Sequence, residues 1–410
     1  MINHCRLCNN SLEYTFVDLG VSPLANSYLK ADQINQMEPF YPLRAYVCEQ
    51  CYLVQLPVFQ SSEEIFSDYA YFSSFSDSWL EHARAYTESM IDRFGFDTDS
   101  QVIEIASNDG YLLKYFKEKD IPVLGIEPAA NVAQAAQDLG IQTLEKFFGF
   151  QTALELSQEQ YYADLLIGNN VLAHVPDIND FVKGMKVILK PHGIITMEFP
   201  HLMRLMAENQ FDTIYHEHFS YFSFITVSRL FSQNGLTIFD VEELPTHGGS
   251  LRIYARHSED AFKNISGRVK TLLEREEAGA FESLEPYLLF NRNVQSTKRS
   301  ILDFMNKSKN AGKTFVGYGA PAKGNTLLNY CGIRTDYIDY TVDRSPHKQG
   351  YFLPGTHIPI HHPDKIKETR PDYVIILPWN LKDEIMHQMA HIREWGGQFV
   401  TLIPEVKIYS

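Results

Sequence analysis

Between residue 101 and about 255, short apolar runs alternate with amphipathic stretches. "QVIEIAS" (101–107) predicts a buried strand, and "GYLLKYFKEKD" (110–120) a helix after it. "PVLGIEP" (122–128) predicts a second strand, and "AANVAQAAQDLG" (129–140) a second helix that stops at Gly140. "ADLLIGNNVLAHV" (163–175) and "GIITMEFP" (193–200) are further strand-like runs. Apolar runs bounded by turns read as strands, and their alternation with helical periodicity predicts a doubly wound parallel α/β sheet.

A long polar helical stretch, roughly 258–312, separates this segment from another of the same kind. There "KTFVGYGAPAKGNTLLNYCG" (313–332) predicts strand, glycine-rich turn and helix. "IDYTVDRSPHKQG", "PDYVIILPWN" (371–380) and "GGQFVTLIPEVKI" add strands and loops. Ahead of the central segment, "FSDYAYFSSFSDSWLEHARAY" is rich in Tyr, Phe and Ser and turns helical toward its end. The expected organisation is a small module over 1–65 and a central α/β domain over 66–257 that opens with a connector at 66–90. A helical connector and a second α/β domain over 258–410 complete it, sizes that suit separate cores.

A hydrophobic content of 44% fits a globular chain, and no apolar run reaches the roughly 18 residues of a membrane span. "MINHCRLCNN" lacks the charged-then-apolar order of a signal peptide, so a cytoplasmic protein is expected. Its 36 basic and 51 acidic side chains give a net charge of −15, which disfavours nucleic-acid binding. A small anionic ligand held by a few local donors stays open, and oligomeric state is not fixed by the sequence.

Four of the five cysteines form two pairs, "CRLC" (Cys5, Cys8) and "CEQC" (Cys48, Cys51), separated by 39 residues. Zn²⁺ takes four soft ligands in a tetrahedron, and each CxxC turn presents two thiolates. The long gap implies an inserted hairpin or loop. Disulfides are disfavoured in a reducing compartment. Four thiolates leave no open coordination position, so the metal is expected to be structural. Cys331 stands alone and reads as a buried small apolar residue.

Open α/β sheets bind ligands at the carboxyl ends of their strands. The first strand runs into Glu104, Ala106, Ser107, Asn108, Asp109 and Gly110; the second ends at Glu127-Pro128; a later one ends at Asn169-Asn170. Glu127 suits the vicinal hydroxyls of a ribose. The first loop carries acids and few glycines, poor for a pyrophosphate and good for an ammonium. S-adenosylmethionine has that ammonium and that ribose. The bland alternative is that Asn108 or Asp109 caps the next helix. In the last segment, "VGYGAPAKGNT" is either a phosphate-holding turn, with Lys323 adding charge, or a tight turn that packs a helix.

Taken in order, "DLGVSPLANSYL", "YAYFSSFSDSW", "EIASNDGYLL", "NVLAHVPD", "YHEHFSYFS", "HGGSLR" and "GYGAPAKGNTLLNY" resemble the sugar C-methyltransferases of deoxysugar biosynthesis. The resemblance spans nearly the whole chain. It implies a zinc-bearing N-terminal module, a class I S-adenosylmethionine methyltransferase domain and a C-terminal Rossmann-like domain. The substrate it implies is a nucleotide-linked, dTDP-type 4-keto deoxysugar, methylated beside the ketone at C-3. It puts the metal on Cys5, Cys8, Cys48 and Cys51 and the cofactor on Glu104, Asn108, Asp109, Gly110 and Glu127. His174, Tyr215, Glu217 and His218 fall on active-site positions, Tyr69, Tyr71 and Ser74 on an aromatic lid, and His247, Gly248 and Arg252 on a substrate loop.

Carbon becomes a nucleophile only after losing a proton, so this chemistry needs a base and a stabiliser for the enolate oxygen. His218 is the first choice for the base, because an imidazole titrates near neutrality. Tyr215 competes with it or donates to the enolate. Glu217 orients a histidine or binds a sugar hydroxyl, and His174 donates to the enolate or the sugar. On an extended strand His216 and His218 would share one face, which suits a metal pair. No HExxH spacing or third ligand is evident, and His216 is expected to be idle. Two other readings remain: an NAD-dependent sugar-nucleotide oxidoreductase or epimerase using the last domain, and a non-catalytic zinc-ribbon binding protein.

Overall fold

The computed structural model describes residues 4–61, 73–75 and 77–410, whose strands form three sheets. β1 (Tyr14–Ser22), β2 (Tyr41–Val47) and β3 (Val54–Gln55) make the antiparallel N-terminal sheet. Its last strand comes from far along the chain: Ser220–Tyr221 pairs with β3 through Val54↔Tyr221 and Gln55↔Ser220. The histidine-rich stretch is therefore stitched to the cysteine module by backbone hydrogen bonds.

The central sheet contains β4 (Val102–Ile105), β5 (Val123–Ile126), β6 (Thr143–Leu144), β7 (Ala163–Asn169) and β8 (Leu189–Pro200). With Ser220–Tyr221 numbered β9, it is completed by β10 (Leu236–Leu244) and β11 (Ser250–His257). The order is β10-β11-β8-β7-β4-β5-β6. All four residues of β4 are buried, as in a parallel strand covered on both faces. The expectation of a parallel sheet holds from β6 to β8 and fails at β11 and β10, which run antiparallel. Only residues 245–249 join that pair, too few for a crossover, so a hairpin is the available connection. The run expected to be a strand over 163–175 stops at Asn169, because Asn170 is left-handed (φ 54°) and the chain turns into a short helix, Leu172–His174.

The polar stretch after β11 resolves into two helices, Gly267–Ala278 and Glu285–Asn310. The third sheet holds β12 (Phe315–Tyr318), β13 (Thr341–Val342), β14 (Ile360–His361), β15 (Tyr373–Ile376), β16 (Gln398–Thr401) and β17 (Lys407–Tyr409). Its order is β14-β13-β12-β15-β16-β17, parallel except for β17. One apolar core runs through Phe16 and Leu43 of the first sheet, Phe211 and Ile214 of the histidine-rich stretch, and Leu327 and Trp379 of the C-terminal unit. Phe16 stacks on Phe290 of the long helix at 4.6 Å between ring centres. Among the described residues no helix is long and apolar enough to cross a membrane.

Candidate active site

The stretch Phe211–Ser223 is a pinned loop. Phe211–Thr213 makes a single helical turn, and β9 then leads to Ser223, whose hydroxyl caps the helix Phe224–Gln233 by accepting from Thr226 N. Phe219 N donates to Ala173 O at 2.7 Å, and Leu56 N donates to Phe219 O at 3.0 Å. Buried Glu276, from the helix after β11, accepts from Phe224 N at 2.7 Å, Ile225 N at 2.8 Å and His201 Nε2 at 2.6 Å. Two backbone N–H groups at a helix start have no partner within the helix, and this carboxylate supplies one. Because the loop is not extended, His216 and His218 diverge. His216 packs against Tyr41 and Phe59 and shares a 3.2 Å hydrogen bond with Pro42 O.

His218 sits at the centre of a ring of aromatic and cationic groups. Its ring centre is 4.2 Å from that of Tyr215, 4.6 Å from His174 and 6.0 Å from Tyr221. Burial, and then the positive potential of His174, His247 and Lys323, hold His218 well below the usual histidine range. Burial also lowers His174 to about 4, although its Nδ1 meets Glu217 O at 2.8 Å. Burial and Lys323 lower His247 to about 4. The imidazoles are therefore neutral at pH 7. Glu217 moves the other way: burial raises it to about 7, opposed by a hydrogen bond from Asn26 Nδ2 at 2.8 Å.

His247 is left-handed (φ 54°) in the β10–β11 loop, and its Nε2 is 3.1 Å from Asn170 Nδ2. A Cβ on Gly248, the next residue, would lie 2.5 Å from the Trp379 ring, so only glycine lets the C-terminal unit approach here. Lys323 Nζ donates to Asn380 Oδ1 at 2.8 Å and lies 4.8 Å from the centre of the Trp379 ring. Trp379 Nε1 donates to fully buried Asp212 at 2.7 Å, and burial lifts Asp212 to about 6 against the pull of Lys323 and Trp379. Gly248 and Trp379 also border a cleft of about 800 Å³, lined in part by Arg204, Asn380, Lys382 and Tyr409.

At the carboxyl end of β4 the chain coils tightly, with φ of 55° at Ala106, 50° at Asn108 and 75° at Gly110. Glu104 and Asp109 are buried there, and burial, then Glu127 and Asp109, raise Glu104 well above the carboxylate range. Among the described residues, neither Glu104 oxygen, nor Asp109 Oδ1, nor Ser107 Oγ makes a hydrogen bond of normal geometry, although the Tyr111 hydroxyl lies beside Glu104. Buried acceptors in that state call for a ligand rich in donors and positive charge. Glu127 accepts from Asn108 N at 3.0 Å and Ala129 N at 2.9 Å, so the carboxylate also braces the loop. Asn169 Nδ2 reaches Tyr111 Oη at 3.4 Å, and Pro128 follows at the β5 end. Ser74 N donates to Asp109 at 3.2 Å and Ser73 N to Asn108 at 2.9 Å, which lays this segment over the loop. Tyr69 and Tyr71 lie outside the described residues.

Cys5, Cys8, Cys48 and Cys51 converge with all Sγ atoms within 4.8 Å of one another. Two of their separations, Cys5–Cys51 and Cys8–Cys48, are both 3.5 Å, close to the edge of about 3.8 Å in a tetrahedron of Zn–S bonds. Among the described residues this is the cluster that could hold a metal.

Residues 5–66 match a family of zinc-binding domains, 79–241 a methyltransferase domain and 245–404 the C-methyltransferase C-terminal domain. The C-methyltransferase NovU of Streptomyces niveus is 33% identical over 409 residues, which cover 100% of this chain and 97% of that protein. The chain belongs to the C-methyltransferase family. Among solved structures, magnesium protoporphyrin IX methyltransferase of Synechocystis PCC 6803 with bound SAH aligns with 48% of this C-methyltransferase and 92% of that chain, at 12% identity and a TM-score of 0.35. The 1,6-didemethyltoxoflavin-N1-methyltransferase of Burkholderia thailandensis aligns with 50% and 95%, at 16% identity and a TM-score of 0.36. The assignment rests on the full-length relative and the family matches.

As an S-adenosylmethionine-dependent enzyme, the C-methyltransferase has a fitting cradle in the loop after β4, and its four-cysteine cluster fits zinc. The dehydrogenase alternative falls away with the match over 245–404. Arg252 is 6% exposed and is held by Glu198 at 3.0 Å, within a network that includes His82 and Thr246. Burial would raise Glu198, but His82 and Arg252 hold it at about 2. Sequence reasoning overlooked Asn26, Trp79 and Trp379. Trp79, whose ring lies 4.8 Å from His82 and 5.3 Å from His247, closes the quoted "YAYFSSFSDSW". Asn26 stands in the quoted "DLGVSPLANSYL".

Proposed function

We propose that this C-methyltransferase acts on a dTDP-linked 4-keto deoxysugar and methylates C-3, beside the ketone, through an enolate. The observation that carries this reading is the buried acid/base cluster of Tyr215, Glu217, His218 and His174 with Lys323 close by. Methyl transfer to oxygen or nitrogen needs little of this apparatus, whereas methyl transfer to carbon needs a proton removed first. S-adenosylmethionine, when bound, supplies the electrophilic methyl group.

Among the loop residues, Glu217 is the better-matched base. A carboxyl near 7 is ionised in a useful fraction at neutral pH and is more basic than an ordinary carboxylate. His218 was the first choice from sequence, but an imidazolium beside Lys323 and His247 is disfavoured. A neutral His218 instead donates N–H to the developing enolate oxygen, the role a depressed histidine pKa permits. Tyr215 donates alongside it, and His174, anchored on Glu217 O, aligns the pair. Lys323 and His247 face the negative diphosphate side of the substrate, and the cleft bordered by Trp379 gives room for the nucleotide. Glu104, Ala106, Asn108, Asp109, Gly110, Glu127, Pro128 and Asn169 hold the cofactor.

The test is deuterium exchange at C-3 of dTDP-4-keto sugars in D₂O without S-adenosylmethionine, followed by product mass spectrometry with it. Exchange in the parent, lost in Glu217→Gln and slowed in His218→Asn and Tyr215→Phe, is expected. Methylated product without any exchange-competent C–H, or turnover only on substrates lacking a ketone, would refute the reading.

A further inference from the structure

Residues 23–30 follow β1 and belong neither to the cysteine cluster nor to the reaction as described so far. This strap leaves the N-terminal sheet and lies on the C-terminal unit. Asn325 Nδ2 donates to Ala25 O at 2.6 Å, Tyr28 Oη donates to Ala320 O at 2.6 Å, and Leu29 bridges to Phe352. Ala320 belongs to the turn that leads into the helix Ala322–Cys331 carrying Lys323, and its own N–H donates to Asp343 at 2.8 Å while Lys348 Nζ donates to its carbonyl at 2.9 Å. Between these anchors Asn26 Nδ2 donates to Glu217 Oε1 at 2.8 Å, and Asn26 Oδ1 lies 3.4 Å from the Tyr28 Oη whose proton goes to Ala320 O. Among the described residues this amide makes the one hydrogen bond to the Glu217 carboxylate. Glu217 is 5% exposed while Asn26 is exposed, so the amide holds the acid from the solvent side of the pocket.

We propose that Asn26 is a positioning residue of the methyl transfer: it orients the Glu217 carboxylate for proton abstraction, and Tyr28 ties that orientation to the glycine-rich turn of the C-terminal unit. The proposal rests on the assignment of Glu217 as the base. It gives the cysteine module a part in the chemistry besides its metal, because the strap is the direct continuation of β1. The groups around Glu217 are Asn26 and Tyr28 on the strap, His174 at its backbone carbonyl, Tyr215 and His218 on its own loop, and Lys348 and Asp343 behind Tyr28. The amide favours the ionised carboxylate against burial, so its loss drives Glu217 further up. An aspartate at 26 would place a second carboxyl on the same hydrogen bond, where two acids share one proton.

The experiment measures kcat against pH, with S-adenosylmethionine affinity by calorimetry, for full-length Asn26→Ala, Asn26→Asp, Tyr28→Phe and Glu217→Gln. Affinity is expected to stay within about twofold, since the strap does not touch the β4 loop. The acidic limb should move up by about half a unit or more in Asn26→Ala and by more than about one unit in Asn26→Asp, with kcat at pH 7 lower by about twofold or more and about fivefold or more respectively, and recovery at high pH. Tyr28→Phe should shift it less, in the same direction. A uniform fall at every pH with an unmoved limb overturns the proposal. If Glu217→Gln keeps the parent's limb, the assignment of Glu217 fails and takes the proposal with it. If Glu217→Gln abolishes the limb and Asn26→Asp leaves it in place, only the role of Asn26 fails.

Discussion

Replacing Glu276 with alanine tests whether the reactive loop is held from behind. The carboxylate is fully buried and accepts three hydrogen bonds, from Phe224 N, Ile225 N and His201 Nε2. Its removal strands two helix-start N–H groups and one buried imidazole N–H. Each buried donor left without a partner costs roughly 1–3 kcal/mol, and breaking a buried charged network costs about 3–5 kcal/mol in all. The chain has several cores, so the loss is best read locally and not from one unfolding midpoint. Amide hydrogen exchange across 219–233 should speed up by about a hundredfold or more, the factor that roughly 3 kcal/mol corresponds to. Glu277→Ala, the exposed neighbour, should exchange like the parent. Protection in Glu276→Ala that stays within about threefold of the parent would show that water or other groups replace the carboxylate, and the reasoning would fail.

Chelating zinc, or Cys48→Ser, should loosen β3 and β9 together, since Gln55 joins Cys5 Sγ (3.1 Å) to the Ser220 pairing; exchange at 54–56 and 219–221 should rise in step. Gly110→Ala should destabilise by roughly 1–2 kcal/mol through its left-handed backbone and also weaken S-adenosylmethionine binding, because the new Cβ falls 2.4 Å from Ile141 Cδ1; thermal melts with and without cofactor separate the two effects. His174 and His247 are lowered to about 4, so the unfolded chain binds their protons first as pH falls below 6.5, and stability is lost between about pH 6.5 and 4. His247→Gln should therefore shrink the difference between unfolding midpoints at pH 7 and pH 5.

The sheets were legible because β4 and β5 are short, mostly apolar runs with turns on each side, Glu104 being the one charged residue in either, and the cysteine spacing named its metal directly. Less legible was anything set by contacts far apart in sequence. Nothing in "SY" at 220–221 announces a strand; β3 makes it one. The order of basicity proposed for "YHEHF" departs from the sequence expectation for a related reason. An isolated imidazole titrates near neutrality, and only the fold buries His218 and Glu217 and brings His218 within the electrostatic influence of Lys323 and His247. Asn26 and Glu217 are 191 positions apart, so no local pattern could pair them.

The same long-range logic makes Trp379 a sharp test of how the C-terminal unit serves the site. Trp379→Phe keeps a ring under Lys323 and removes the indole N–H that Asp212 accepts. Asp212 Oδ1 already has no hydrogen-bond partner among the described residues, so the carboxylate would lose its side-chain donor. A hydrogen bond to a charged group contributes about 1.5–3 kcal/mol, so Asp212 should rise from about 6 to above neutrality and become protonated at pH 7. A neutral Asp212 no longer supports the charge on Lys323, which burial already lowers. KM for the proposed nucleotide-linked sugar should then increase at pH 7, while S-adenosylmethionine affinity stays unchanged. A KM that does not move, with the Asp212 carboxyl still titrating near 6 by carbon NMR, would mean that the indole packs the domain junction without tuning its charges.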